Sequence, residues 1–160
     1  MYKGMLYIGS DHAGFKLKEK LKEFLANNSY EVEDIGAYEY LPDDDYPDYA
    51  IKLSKKVVET GRQGILVCGS AHGMNITANK MSGIRATICW NEKSAEFAKK
   101  HTGVNVLCLP ARVIEQKEAE EAIIRWINTE FETEERHVRR VEKIKELEEN
   151  RIKNGAKGYI

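Results

Sequence analysis

Apolar residues keep two rhythms along this chain, and the rhythms alternate. Residues 6–9, 63–68, 85–90 and 104–109 are short runs dense in apolar side chains, and 30–35 alternates apolar with polar; each reads as a strand. Between them the apolar positions recur three and four apart. Phe15, Leu17, Leu21, Phe24 and Leu25 mark a helix over 14–27. Further helices are predicted from the end of the polar loop 37–48 to Thr60, over 74–81, over 92–101 and over 115–128 with Trp126 as an anchor. The punctuation agrees: Asp45 or Asp48 suits an N-cap, Pro47 a first turn, and Gly61 the position after a helix end. Five strands alternating with helices predict an α/β fold, a parallel sheet with helices on both faces.

After a polar break at 129–135 the pattern resumes as a highly charged helix over 136–150, with Val138, Val141, Ile144 and Leu147 on one face. So narrow a stripe suits docking on a neighbour, here a second subunit. Residues 151–160 hold two glycines and few anchors and read as a weakly held tail. Residues 1–150 are therefore read as a single domain that includes the interface helix.

Composition narrows the partners. The 160 residues carry 26 acidic and 25 basic side chains, so no large single-sign field argues for nucleic acid. The three cysteines, Cys68, Cys89 and Cys108, are odd in number and form no C-x-x-C pair, which predicts a reducing, cytoplasmic setting. No apolar stretch is long enough to span a membrane, and the N-terminus lacks a signal-peptide pattern.

The candidate chemistry centres on residues 67–80. An apolar run stops at Cys68, the small residues Gly69, Ser70, Ala71, His72 and Gly73 follow, and a helix begins. In open α/β sheets ligands bind off the carboxyl ends of strands. A helix start offers unpaired amides, and its field is expected to lower a thiol pKa. Cys89 and Cys108 lie inside predicted strands and read as buried small hydrophobes. The glycine loop matches neither G-x-G-x-x-G nor a Walker motif, so it gives no nucleotide signal.

Asp11 suits the cap of the first helix and His12 a surface position. Topology gives them a second reading: loops after strands one and three share an edge, which would turn both toward Cys68. His72 is either a ligand contact or a solvated side chain. The histidines show no paired metal-ligand spacing, so no metal is expected. His101 closes a helix, where a positive imidazole is favourable, yet that helix returns to the edge opposite Cys68. Arg136, Arg139 and Arg140, with Arg112, suit a phosphate clamp, or else a solvated face paired with Glu132, Glu134 or Glu135.

Six blocks then occur in order: Gly9-Ser10-Asp11-His12-Ala13-Gly14, Asp45-Tyr46-Pro47-Asp48-Tyr49, Cys68-Gly69 with Gly73-Met74 and Ala78-Asn79-Lys80, Gly83-Ile84-Arg85-Ala86, Asn105-Val106-Leu107, and Arg136-His137 with Arg139-Arg140-Val141. Together they resemble the type B ribose-5-phosphate isomerases, of the sugar-phosphate isomerase family that includes allose-6-phosphate and galactose-6-phosphate isomerases. The resemblance implies a Rossmann-like, three-layer fold and an aldose–ketose isomerase that needs no metal or cofactor. It implies Cys68 as the base between C1 and C2, His101 in ring opening and Asp11 in proton movement among hydroxyls. His12, Arg136 and Arg140, with Arg112, would hold the phosphate, the amides of 69–73 the enediolate, and Tyr46 the sugar. It also implies active sites shared between two subunits, so that His101 reaches a partner's site; pairing of dimers into tetramers stays open.

Three positions depart from the family pattern. Ala71 replaces a glycine and His72 an apolar residue, expected to narrow or re-polarise the pocket, and Thr102 replaces an asparagine that would contact the sugar. Ribose 5-phosphate is the first substrate expected, a six-carbon sugar phosphate the alternative. A non-catalytic sugar-phosphate-binding protein is the reading from another class, and a metal-dependent hydrolase a more distant one.

Overall fold

The computed structural model describes residues 4–153. Five parallel strands form one sheet: β1 (Leu6–Ser10), β2 (Val32–Gly36), β3 (Gln63–Cys68), β4 (Ala86–Ile88) and β5 (Val106–Pro110), in the order β2-β1-β3-β5-β4. The helices are α1 (Phe15–Asn27), α2 (Tyr46–Thr60), α3 (His72–Ala78), α4 (Glu92–Thr102), α5 (Gln116–Asn128) and α6 (Glu135–Lys153).

The dense apolar runs of β1, β3 and β5 are strands buried on both faces, whereas β4, at the sheet edge, is only partly buried. Leu6, Ile8, Ile65, Val67, Leu107 and Leu109 pack under α1, α4 and α5 with Leu21, Ala95 and Trp126. The residues between them, Tyr7, Leu66, Cys68, Val106 and Cys108, point the other way, onto α2 and α3 with Leu53, Val57 and Met74. The result is the expected three-layer α/β sandwich, Rossmann-like in its alternation of strand and helix. The strand order has a consequence for function. The chain leaves β1 toward α1 on one face and leaves β3 toward α3 on the other, although β1 and β3 are neighbours. Their diverging connections open a crevice at the carboxyl edge.

Several boundaries differ from the sequence reading. β4 holds only residues 86–88, so Arg85 and Cys89 flank it; Arg85 instead donates to the Thr102 and Gly103 carbonyls, and Cys89 is fully buried. α3 starts two residues earlier and stops three sooner than periodicity suggests. Asp45 occupies the N-cap position of α2 without a side-chain cap bond. α6 runs on to Lys153, past the helix end expected at 150; residues 154–160 of the expected tail lie outside the described residues.

Two local devices position the crevice. Gly14 caps α1 pressed against β3, where an added Cβ would stand 2.0 Å from the Val67 carbonyl oxygen. That contact needs a glycine, and it brings the β1 loop onto the end of β3. Lys18 has no exposed surface; its ammonium donates to Asp34 at 2.9 and 2.7 Å and to the Ala37 carbonyl at 2.5 Å. A cation so enclosed is tolerable because it is paired and fully bonded. It fixes the start of the loop that leads from β2 to α2.

Candidate active site

At the carboxyl ends of β1 and β3, the Cys68 thiol donates to Asp11 Oδ2 at 2.9 Å. The other oxygen of Asp11 accepts the Gly14 amide at 3.0 Å. Asp11 is not itself the cap of α1, whose N-cap is Gly14; one of its oxygens holds that glycine's amide and the other faces the cysteine. Asp11 is 3% and Cys68 8% exposed.

The electrostatics reverse one expectation. The Cys68 pKa is pushed up to about 12, first by burial and then by the hydrogen bond and negative charge of Asp11. The amides of Ala71 and Gly69 pull it down but do not win. The helix-start field anticipated from sequence is outweighed, because α3 has only seven residues and the carboxylate touches the sulfur. At neutral pH the resting group is a thiol, with an adjacent carboxylate able to accept its proton.

Substituting Asp11 by asparagine removes that charge while keeping an oxygen for the Gly14 amide. The Cys68 pKa then falls, and each unit of fall gives about tenfold more thiolate at pH 8. Iodoacetamide should therefore label Cys68 at least about tenfold faster in Asp11→Asn than in the wild type. Cys89 and Cys108, with no exposed surface, should stay unlabelled in the folded protein. Mass-spectrometric labelling rates check this; an unchanged or slower Cys68 rate contradicts the assigned cause.

The loop after Cys68 wraps the same edge. Tyr46 lays its ring on Gly73, where an added Cβ would meet Cζ at 2.4 Å. The Arg112 guanidinium lies over Gly69, and the Arg112 amide donates to the Gly69 carbonyl at 2.9 Å. Ser70 and His72 are exposed. Ala71 adopts a left-handed backbone, φ 63°, and its methyl group is fully buried in the α2–α3 core. The expectation that this methyl narrows the pocket is thus corrected; the imidazole of His72 is the departure that faces outward.

His12 is held by a residue that sequence reading missed. Asp44 Oδ1 accepts the His12 amide at 3.0 Å and stands 2.6 Å from Nδ1. The ring keeps its position with Nε2 directed elsewhere, available to a ligand. The loop carrying Asp44 is the one fixed by Lys18.

His101, Thr102, Arg136 and Arg140 form a second group elsewhere. His101 and Thr102 end α4, where the chain turns to enter β5 at its amino end, whereas Cys68 pairs with Pro110 at the carboxyl end. The length of β5, about 13 Å at 3.3 Å per residue, separates the two levels. His101 is stacked between Phe97, centroids 5.2 Å apart, and His137, 4.8 Å apart. The Thr102 hydroxyl is bonded back to the Ala98 carbonyl at 2.6 Å. Arg136 pairs with Glu134 and Arg139 with Glu135, as a solvated face would, while exposed Arg140 makes no ion pair among the described residues. These residues and the Cys68 crevice therefore form two groups, toward opposite edges of the sheet.

Residues 6–144 match the family described as Ribose/Galactose Isomerase. Ribose-5-phosphate isomerase B of Mycobacterium tuberculosis is 33% identical over 144 residues, covering 89% of this chain and 89% of the relative. The crystal structure of a ribose 5-phosphate isomerase from Thermotoga maritima is 41% identical, with a TM-score of 0.85 over 89% of this chain and 97% of that one. Ribose-5-phosphate isomerase B from Mycoplasma genitalium, solved with bound ribulose-5-phosphate, is 35% identical, with a TM-score of 0.87 over 91% of this chain and 96% of that one. With the family match spanning the whole sheet and its crevice, the chain belongs to the ribose/galactose isomerase family.

Proposed function

We propose that this chain interconverts D-ribose 5-phosphate and D-ribulose 5-phosphate, with Cys68 as the base. The observation that carries the reading is the thiol–carboxylate pair of Cys68 and Asp11, 2.9 Å apart beneath the glycine-loop amides, in a member of this family. The names of the relatives favour the five-carbon substrate.

In the open-chain aldose the C2 proton is acidified by the C1 carbonyl. Cys68 passes its own proton to Asp11 and takes the C2 proton as the C2–H bond breaks. The C1 oxygen gains the charge, stabilised by amides of 69–73. Transfer of the O2 proton to O1 and delivery of the sulfur-held proton to C1 give the ketose. The proton lost from C2 is regained at C1, and no co-reactant is required. His12 and Arg112, with Arg136 and Arg140 of a second copy, anchor the phosphate, which fixes the reacting carbons against the base, and Tyr46 lines the sugar.

His101 assists ring opening, and it does so in the site of a second copy. The separation of His101 from Cys68 along β5 supports this. So do the exposed Val138, Ile144 and Leu147 on α6, which leave an apolar stripe beside the second group. The working unit is a homodimer with shared sites. Among the described residues no helix is long and apolar enough to cross a membrane.

The test is turnover by the purified chain, with EDTA present, across ribose 5-phosphate, allose 6-phosphate and galactose 6-phosphate. The expected result is kcat/KM for ribose 5-phosphate at least about tenfold above the six-carbon substrates, the range that one extra carbon unit commands. A six-carbon preference moves the assignment within the family; binding across the panel without turnover supports the non-catalytic reading.

A further inference from the structure

We propose that His101, Glu132 and His137 form a binding site for a divalent transition metal of the zinc class. Their candidate ligand atoms lie within 4.8 Å of one another. Glu132 Oε2 stands 3.3 Å from Nε2 of His137 and 3.9 Å from Nε2 of His101. In a tetrahedral site with metal–ligand bonds near 2.0–2.1 Å, ligand atoms sit about 3.3 Å apart. One of these distances already matches; the half-exposed His101 ring, stacked on that of His137 with planes 5° apart, turns out of the stack to aim its Nε2 at the same point as the third ligand.

The state of His137 is the independent sign. It is 4% exposed, yet neither ring nitrogen has a hydrogen-bond partner among the described residues. The nearby Oε2 is close enough for an ion pair but off the line that a hydrogen bond needs. Buried polar groups are otherwise satisfied, and an orphaned imidazole costs stability that a bound metal would restore. Glu132 is also set for the role. Lys100 binds its Oε1 at 2.9 Å, and the Glu132 amide donates to the Lys100 carbonyl at 2.9 Å, leaving Oε2 turned to the histidines. Two imidazoles and one carboxylate select zinc, nickel or cobalt over magnesium or calcium. Three protein ligands leave a fourth position for water.

Occupancy engages Nε2 of His101, the side chain assigned to ring opening, so the metal acts as an inhibitor. That consequence rests on the function proposed above; the site itself does not.

The experiment is calorimetric titration of zinc chloride into the metal-stripped full chain, with cobalt absorption as a second readout. Wild type should bind one zinc per chain and show tetrahedral cobalt bands. His137→Phe keeps a stacking ring without nitrogens and should bind more than about tenfold more weakly, as should Glu132→Gln. Circular dichroism verifies that both variants are folded. No binding by wild type, or equal binding by folded His137→Phe, overturns the site. Zinc that binds at this site without slowing ribose 5-phosphate turnover leaves the site standing and removes His101 from ring opening.

Discussion

Cys68→Ala should lower kcat for ribose 5-phosphate isomerisation by about 10²–10⁴-fold, the worth of a positioned general base, while KM changes little. Phosphate and sugar contacts are assigned to other side chains, so ground-state binding survives loss of the sulfur. Alanine also leaves Asp11 Oδ2 without its donor in a site 3% exposed, which should cost about 1–3 kcal/mol of stability. Cys68→Ser separates these effects. Its hydroxyl can still donate to Asp11, so the urea midpoint should return toward wild type, but a hydroxyl ionises too weakly to act as base and turnover should stay low. If Cys68→Ala kept kcat within a factor of ten, Cys68 would be reduced to a packing residue and Asp11 would become the leading candidate for the base.

The pH behaviour of the pair has a definite sign. The Cys68 pKa is raised in the folded chain to about 12, above its unfolded value. Its contribution to stability is therefore fully present below the unfolded value and is lost as pH rises through the folded one. Alkaline conditions both ionise the base and weaken the fold, so alkylation rates read the thiolate more cleanly than turnover does.

The legible features of this chain are those set by local periodicity. Residues buried on both faces of β1, β3 and β5 gave apolar runs, and the helices between them kept a 3.6-residue rhythm. The approach of Asp11 to Cys68 followed from topology alone, since loops after neighbouring parallel strands share an edge. What escaped is set by contacts far apart in sequence. Nothing local says that β5 inserts between β3 and β4, or that Asp44 reaches back 32 residues to His12. The pKa direction at Cys68 depended on whether Asp11 touched the sulfur, a matter of ångströms. Lys18 did leave a signal: it lies three and seven residues before Leu21 and Leu25, on the buried face of α1, where an unpartnered lysine would not be tolerated. His137 shows the same logic on α6, four residues before buried Val141.

The largest effect tied to the separation of Cys68 from His101 is recovery of activity from two dead variants. Cys68→Ala and His101→Asn should each lose most turnover, by about 10²–10⁴-fold for a general acid or base. If each site takes Cys68 from one chain and His101 from the other, a mixed dimer holds one site with both residues intact and one with neither. Random pairing of equal amounts makes half the dimers mixed, so about a quarter of wild-type activity should return, with purified mixed dimers at about half. A site built within one chain predicts no recovery, because every site would then lack one residue. The structure argues for the first outcome: His101 sits at the amino end of β5 and Cys68 beside its carboxyl end, and no rotamer spans a strand. The direction of reaction gives a second reading on the same variants. Ribulose 5-phosphate cannot close a furanose through its phosphorylated O5 and is open-chain, so a residue that opens rings matters less when the reaction starts from it. His101→Asn should therefore lose less kcat from ribulose 5-phosphate than from ribose 5-phosphate, with kcat/KM falling equally in both directions because their ratio is fixed by the equilibrium, whereas Cys68→Ala should lose kcat equally from both.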